Sequence, residues 1–403
     1  DAYLWRTRDS NRDGILETWC VWDTGEDGCT RLVQRGAPSR WPFEKPPGAE
    51  GMPTAQGSRK GFWFGEFKGD RMPRPEEVRV PFASMDLMAY SYSGRATLAR
   101  ISKELGNGEE AHWKNQAEEV RRRLIDKLWV ADRHACFDID RHGKRLDELV
   151  HNNLRCMWYG IFTQEMADAF IKHHLLNPDE FWTPVPLVSI ARNEALFRAG
   201  RRNDWSGPPQ GLTYQRAIGA LERYGHHAEV TMLGRKLLPV LIRNDCRFTQ
   251  QLDHLTGEPR GRDGYGPMIL AALAYLNRMH GIHPDLEHGQ VWWSALAEDG
   301  HNFTRAQRWG DTTWRLDCKD GRLRATVDGK ESFTSTTGAR IVTTLDGKLI
   351  KVVGIDPRPR RITVDTSSRR WTLTVGPNHG YHLDRAEPAS FRTAPFDDAL
   401  PAK

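Results

Sequence analysis

Two aspartates four residues apart are the first sign of chemistry. Asp23 and Asp27 share the segment Trp22-Asp23-Thr24-Gly25-Glu26-Asp27. In a helical turn, residues at this spacing face the same way. An indole beside paired carboxyls raises the pKa of one and leaves the other ionised, which suits protonation of a glycosidic oxygen. A polar loop capped by its own aspartates accounts for the same residues. Upstream, Asp9, Asn11 and Asp13 alternate before Gly14, and Glu17 follows. Oxygens in that order suit a structural calcium ion, although position twelve of such a loop is Cys20 where an EF-hand has Glu. The alternative is a plain Asx-rich turn.

A third polar cluster contains Gln250, Gln251, Asp253, His254, Thr256 and Glu258 and runs on into Arg262 and Asp263. Taken alone it also reads as a solvated turn. Fifteen Trp lie in 403 residues, many of them in polar, Gly-rich or Pro-rich text. A sugar ring offers an apolar C–H face and a rim of hydroxyls, so indoles beside polar side chains suit a saccharide. Trp22, Trp63 and Trp205 are candidate platforms or pocket walls. Arg8, Asp23, Gln250, Gln251 and Arg262 are candidate contacts to hydroxyls or a carboxylate.

Other chemistries lack their signatures. Six Cys stand without a CxxC pair, which argues against zinc or iron–sulfur; Cys20 and Cys29 are close enough in sequence to pair in an oxidising compartment. No HExxH, GxSxG, P-loop or dinucleotide fingerprint occurs, so no cofactor is required. Lys and Arg total 58 against 53 Asp and Glu, a net charge of +5. Basic runs at 121–123, 201–202 and 358–361 read as solvated faces, with no nucleic-acid module beside them. No apolar stretch approaches the length that spans a membrane. The start, Asp1 to Trp5, shows neither an initiator Met nor a leader. It reads as processed, trimmed or a fragment, which leaves the compartment open.

These clusters need elements to position them. Apolar residues at three- and four-residue steps predict helices over 84–105 and 109–128, split by Gly106-Asn107-Gly108. Further helices are predicted over 148–161, 163–175, 193–199, 212–224, 227–244 and 266–279. Repeated helix pairs predict an (α/α)6 toroid-like helical barrel over 1–300, with loop ends forming the active-site face. From 303 the period changes to alternating Thr and Val, with Asp328-Gly329 and Asp346-Gly347 as hairpin turns. A small all-β, sandwich-like accessory module is predicted over 303–390, available for homo-oligomer contacts, and a tail over 391–403.

Residues 5–295 resemble the helical-barrel glycoside hydrolases of the glucosidase I, family 63 type, to which trehalase and mannosylglycerate hydrolase are related. The family's Arg-Asp-x-(Asn/Asp)-x-(Asp/Asn)-Gly segment is matched by Arg8 to Gly14, and its Trp-(Glu/Asp)-Ser-Gly-x-Asp segment by Trp22 to Asp27. Phe181-Trp182-Thr183-Pro184-Val185-Pro186, Trp205-Ser206-Gly207-Pro208 and Glu222-Arg223-Tyr224-Gly225 follow in the family's order. The resemblance implies an exo-acting, inverting enzyme on an α-linked terminal or small saccharide. It puts the general acid on Asp27 and implies calcium near the first segment.

One departure bears on mechanism. The family's general base is the Glu of Glu-Asn-Tyr-(Asn/Asp)-Pro-x-Thr-Gly, and that place holds Gln250, with Leu252 and His254 in place of Tyr and Pro. A glutamine amide does not accept a proton near neutral pH. Five explanations stand. Asp253, Glu258 or Asp263 serves as base; phosphate supplies the nucleophile, as in helical-barrel phosphorylases; Glu was changed to Gln to trap a complex; the protein binds sugar without catalysis; or the reaction is another, such as elimination from a uronic acid.

Overall fold

The computed structural model describes residues 2–26, 28–37, 78–200, 205–296 and 302–396. The chain divides into two compact units, Asp1–Ala220 with Arg247–Tyr265, and Leu221–Cys246 with Gly266–Lys403.

The first unit holds helices α1 (Ala2–Thr7), α2 (Val21–Thr24), α3 (Thr30–Val33), α4 (Met85–Leu105), α5 (Glu110–Leu128), α6 (Asn152–Tyr159) and α7 (Gln164–Phe170). Helix α8 (Gly211–Arg223) begins here and ends in the second unit. Three two-stranded ribbons pair β1 (Glu17–Thr18) with β2 (Phe82–Ala83), β3 (Trp129–Val130) with β4 (Ala135–Cys136), and β5 (Gln251–Leu252) with β6 (Pro259–Arg260). Helices α4 and α5 form the predicted hairpin. Ser84 caps α4 by accepting the Leu87 N–H, and Gly106 ends it at φ 62°, a left-handed conformation that costs glycine least. Helix α5 buries Ala117, Val120, Leu124 and Leu128, one stripe at three- and four-residue steps. Leu124 is fully buried, and Leu124→Ala would cost about 2–5 kcal/mol through lost burial and a cavity.

Thr163 caps α7 by accepting the Met166 N–H, and the helix widens into a π-turn at Ile171–Leu175, together filling the predicted 163–175. The helix expected over 193–199 does not form. There the Leu196 carbonyl accepts the Thr30 hydroxyl and the Arg198 N–H goes to the Ser206 carbonyl, so beyond one local turn, Phe197 N–H to the Glu194 carbonyl, backbone groups are taken by other segments.

The second unit contains α9 (His227–Arg243) and α10 (Gly266–His280). Its strands are β7 (Gly281–Asp285), β8 (Gln290–Ala295), β9 (Phe303–Trp309), β10 (Thr312–Lys319), β11 (Arg322–Val327), β12 (Lys330–Thr336), β13 (Ala339–Thr344), β14 (Leu349–Gly354), β15 (Arg360–Asp365), β16 (Arg370–Val375), β17 (His379–His382) and β18 (Ala389–Arg392). They form two six-stranded sheets, ordered β16-β15-β12-β11-β10-β9 and β18-β17-β14-β13-β8-β7, with antiparallel pairs throughout. Trp293, Trp314, Phe333, Ile341 and Ile362, drawn from both sheets, share one core. The predicted turns are present: Asp328 and Gly329 both take positive φ, as a two-residue hairpin loop demands. The sheets begin at Gly281, ahead of the expected 303. Trp293 is fully buried there, its indole N–H donating to Thr343 Oγ1 at 2.9 Å.

Candidate active site

The Asp-rich turn after α1 closes on itself. Asn11 Oδ1 accepts the Asp13 N–H at 3.1 Å, Asp13 Oδ1 the Ile15 N–H at 2.9 Å, Asp9 Oδ1 the Gly14 N–H at 3.3 Å, and Glu17 Oε2 the Ser10 N–H at 3.0 Å. Gly14 takes φ 80° with the Arg123 guanidinium where a side chain would start. Burial raises the Asp9 and Glu17 pKa values, and for both an accepted hydrogen bond is the strongest opposing effect. Among the described residues no three His, Cys, Asp or Glu side chains are grouped to hold a metal ion. Asp9, Asn11, Asp13 and Glu17, expected as calcium ligands, each give one oxygen to the turn's own backbone. Cys20 and Cys29 form no disulfide.

Asp23 lies in α2 and caps its start. Its Oδ2 accepts the N–H groups of Trp19 at 2.8 Å and Cys20 at 3.1 Å, and its Oδ1 pairs with Arg8 Nη2 at 2.7 Å. Asp23 and Arg8, expected as sugar contacts, fasten the Asp-rich turn to α2. Asp27, Trp63 and the side chain of Trp22 lie outside the described residues.

Both sequence neighbours of Asp27 are anchored. Glu26 is buried, its Oε2 accepting Arg31 Nη2 at 3.3 Å and Asn152 Nδ2 at 3.2 Å, with His151 Nε2 3.7 Å from Oε1. Burial opposes ionisation of Glu26, yet Arg31, the adjacent His151 ring and the charge of Arg155 outweigh it and hold the pKa well below the usual range. Arg31 also pairs with Asp138, whose pKa burial nevertheless raises. His151 is pushed down to about 4, by burial first and then by Arg155, and so is neutral at neutral pH. On the other side, the Gly28 carbonyl accepts Ser206 Oγ at 3.2 Å, and Ser206 Oγ accepts the Thr30 N–H at 2.8 Å.

Trp205, next to Ser206, is only 3% exposed. Its ring lies 5.5 Å from His151 and beneath the Arg155 guanidinium at 5.6 Å. A ring so enclosed matches the wall of the two roles expected of it and offers no open face. Arg155 Nη1 reaches the Thr24 carbonyl at 2.8 Å and Asp86 Oδ2 at 2.7 Å. Arg216 stands over Trp158 at 5.3 Å, and its Nε and Nη1 are buried without a hydrogen-bond partner among the described residues. Burial, then Arg155, lowers its pKa to about 10.

The 249–263 loop sorts the candidate bases. The Gln250 carbonyl accepts the Gly211 N–H at the start of α8, and the Gln250 side chain is half-buried. Gln251 is fully buried in β5, bridged to Gln210. Asp253 Oδ1 accepts the N–H groups of Leu255 at 2.9 Å and Thr256 at 2.8 Å, while Oδ2 pairs with Arg260. Burial would raise the Asp253 pKa, but those N–H groups and Arg260 lower it. Asp253 is a turn-forming carboxylate with both oxygens engaged. Glu258, Arg262 and Asp263 are exposed, and Asp263 Oδ1 accepts the Gly264 N–H at 2.8 Å. The structure does not bring these three into the buried cluster.

Residues 2–266 match the family described as the mannosylglycerate hydrolase MGH1-like glycoside hydrolase domain. The chain belongs to that family. The resemblance to family 63 carried by Arg8 to Gly14 and Trp22 to Asp27 thus stands. Among solved structures, a sialidase matches at 14% identity and a TM-score of 0.54, over 65% of this chain and 26% of its own. Mannosylglycerate hydrolase from Thermus thermophilus in complex with glucose matches at 19% identity and 0.49, over 68% and 65%. Neutral trehalase from Saccharomyces cerevisiae matches at 19% and 0.42, over 49% and 38%. The chain therefore spans less than two thirds of each of these proteins. No curated protein matches it.

For a member of this glycoside hydrolase family, the groups that sequence reasoning missed are Glu26, Arg31, Asp86, Asp138, His151, Asn152, Arg155 and Arg216. One signal was available: His151, Asn152, Asn153 and Arg155 are polar residues clustered at the start of α6, and all are buried.

Proposed function

We propose that this protein is an exo-acting glycoside hydrolase for an α-linked terminal or small saccharide, with Asp27 protonating the leaving oxygen. Family membership over residues 2–266, with the Trp22 to Asp27 segment in place, carries the reading. In it the helix pairs belong to an (α/α)6 barrel. The separate anchoring of Glu26 and Gly28 supports it, because proton transfer depends on a fixed donor.

Inversion needs a base that activates water opposite the acid, with the carboxyls about 6.5–9.5 Å apart. Gln250 lacks the proton affinity for this, and the oxygens of Asp253 are engaged. These two observations favour a second reading, phosphorolysis, in which phosphate is itself the nucleophile. Arg216, beside Arg155 and with two buried nitrogens that lack a hydrogen-bond partner among the described residues, supplies positive charge to the same cluster.

Turnover of mannosylglycerate and of aryl α-glycosides, with and without phosphate, separates the readings. Asp27→Asn is expected to cost about 10²–10⁴-fold in kcat while binding survives. Activity only with phosphate selects phosphorolysis. A parent protein inert on every glycoside under both conditions defeats the enzyme reading and leaves a saccharide-binding protein.

A further inference from the structure

The sheet ordered β16-β15-β12-β11-β10-β9 presents one side to the shared core and the other outward. Along β10, Trp314, Leu316 and Cys318 point inward, while Arg315, Asp317 and Lys319 alternate outward. On β11, Leu323 and Ala325 are inside and Arg322 and Arg324 outside. On β15, Ile362 and Val364 are inside and Arg361, Thr363 and Asp365 outside.

The register lines outward residues into a row crossing all six strands. Thr304 stands opposite Asp317, Asp317 opposite Arg324, Arg324 opposite Thr334, Thr334 opposite Asp365, and Asp365 opposite Arg370. At the usual strand spacing the row is about 24 Å long. Beside it Lys319 lies opposite Arg322, a like-charge pair that costs the sheet stability.

Carboxylates on this face are already engaged. Asp317 pairs with Arg315 at 2.8 Å, Glu331 with Arg324 at 2.7 Å, and Asp365 with both Arg322 at 3.4 Å and Arg370 at 3.2 Å. Lys319 and Arg361 are exposed and have no ion pair among the described residues. A cleft of about 830 Å³ opens on the face, lined in part by Asp317, Lys319, Arg322, Arg324, Thr304 and Thr334.

We propose that this face docks an acidic polysaccharide, a chain of uronate or sulfated sugars. Uncompensated cations meet its acid groups, and threonine hydroxyls, including Thr363 opposite Thr372, meet its sugar hydroxyls. The outward positions of these rows carry no aromatic ring, and Phe303, in the cleft wall, is the one ring among its lining residues, so the face offers charge and hydroxyls far more than stacking surface. Docking here does not draw on Asp27, and occupancy of the face is read without turnover.

The test is native-gel retardation of the full chain by polygalacturonate, with dextran as the neutral polymer and duplex DNA as the phosphate polymer. Retardation by polygalacturonate but not dextran is expected at about 50 mM salt, and loss of it as salt rises. The double variant Lys319→Ser, Arg361→Ser is expected to bind about tenfold more weakly. The pair Lys172→Ser, Arg141→Ser, which removes the same charge elsewhere, is expected to bind as the parent does. If the first double variant melts early, Lys319→Ser alone is read, with a loss of about threefold. No retardation, an equal loss in the control pair, or tighter binding of duplex DNA overturns the proposal.

Discussion

Asn152 Nδ2 donates to Glu26 Oε2 at 3.2 Å, tying the residue beside Asp27 to the first turn of α6. The same carboxylate takes Arg31 and lies against His151, so one buried anion gathers a near neighbour in sequence and two partners from a distant stretch of chain.

Loss of that anion should be costly. Glu26→Gln leaves Arg31 with Asp138 as its remaining partner in a site closed to water. Removing one member of a buried pair costs about 3–5 kcal/mol. Urea unfolding is expected to show a loss of this size, with turnover reduced in whatever protein remains folded. A change below about 1 kcal/mol would mean that Glu26 is not the centre of the cluster.

Acid should weaken the fold before it titrates ordinary carboxylates. His151 falls from 6.5 to about 4 on folding, so the unfolded chain binds the extra proton between those values. Stability is fully present above pH 6.5 and declines as pH falls towards 4, by up to roughly 3 kcal/mol from this group. His227 and His283, pushed down to about 3 and about 4 with burial the first cause in each, add to the same slope. Glu26 loses its own contribution only lower, as pH falls below its unfolded value of about 4.5. Unfolding curves at pH 7, 5.5 and 4.5 measure the slope, and His151→Gln should flatten it. An unchanged slope in that variant counts against a neutral, buried His151.

Asp253 and Gln250 make opposite forecasts. Asp253→Asn keeps an oxygen for the Leu255 and Thr256 N–H groups but loses charge against Arg260. We expect a stability loss of about 1 kcal/mol and turnover within a few-fold of the parent. A loss of about 10²-fold or more would instead make Asp253 the base. Gln250→Glu is expected to raise phosphate-independent hydrolysis by about 10²-fold if this position faces the attacking water.

Chelation should do nothing. One oxygen each of Asp9, Asn11, Asp13 and Glu17 already serves a backbone N–H, so the turn holds its shape through its own hydrogen bonds. Excess EDTA is expected to leave the Tm unchanged within about 1 °C, since only a ligand that binds the folded state shifts it. A larger fall would assign a metal to this turn.

The legible parts of the fold were those written in local patterns. Ser84, Thr163 and Gly106 sit at the helix ends where their side-chain chemistry places them, and Asp328-Gly329 makes its turn. The failures came where distant chain decides. Residues 193–199 carry helix-forming types, yet their backbone groups are drawn to Thr30 and Ser206. Trp292 and Trp293 stand side by side in polar text, yet β8 buries Trp293 in the sheet core and lays Trp292 beside Arg340 and Lys351 at 5.4 Å and 4.9 Å. The candidate acid was found by motif. The ionic knot around Glu26 was not, because Glu26, Asp138 and His151 acquire meaning only once three remote segments meet.

Glu222, in the last turn of α8, is gripped by Arg278 at 2.8 Å and Arg340 at 2.9 Å, both in the second unit. Residues 247–265 then return the chain to the first unit before the strands begin. No single scission can therefore divide this polypeptide into its two halves. Exchanging the β half for that of a relative would demand two splice points, and an ancestor assembled by simple end-to-end joining would not have left the threads interleaved in this way.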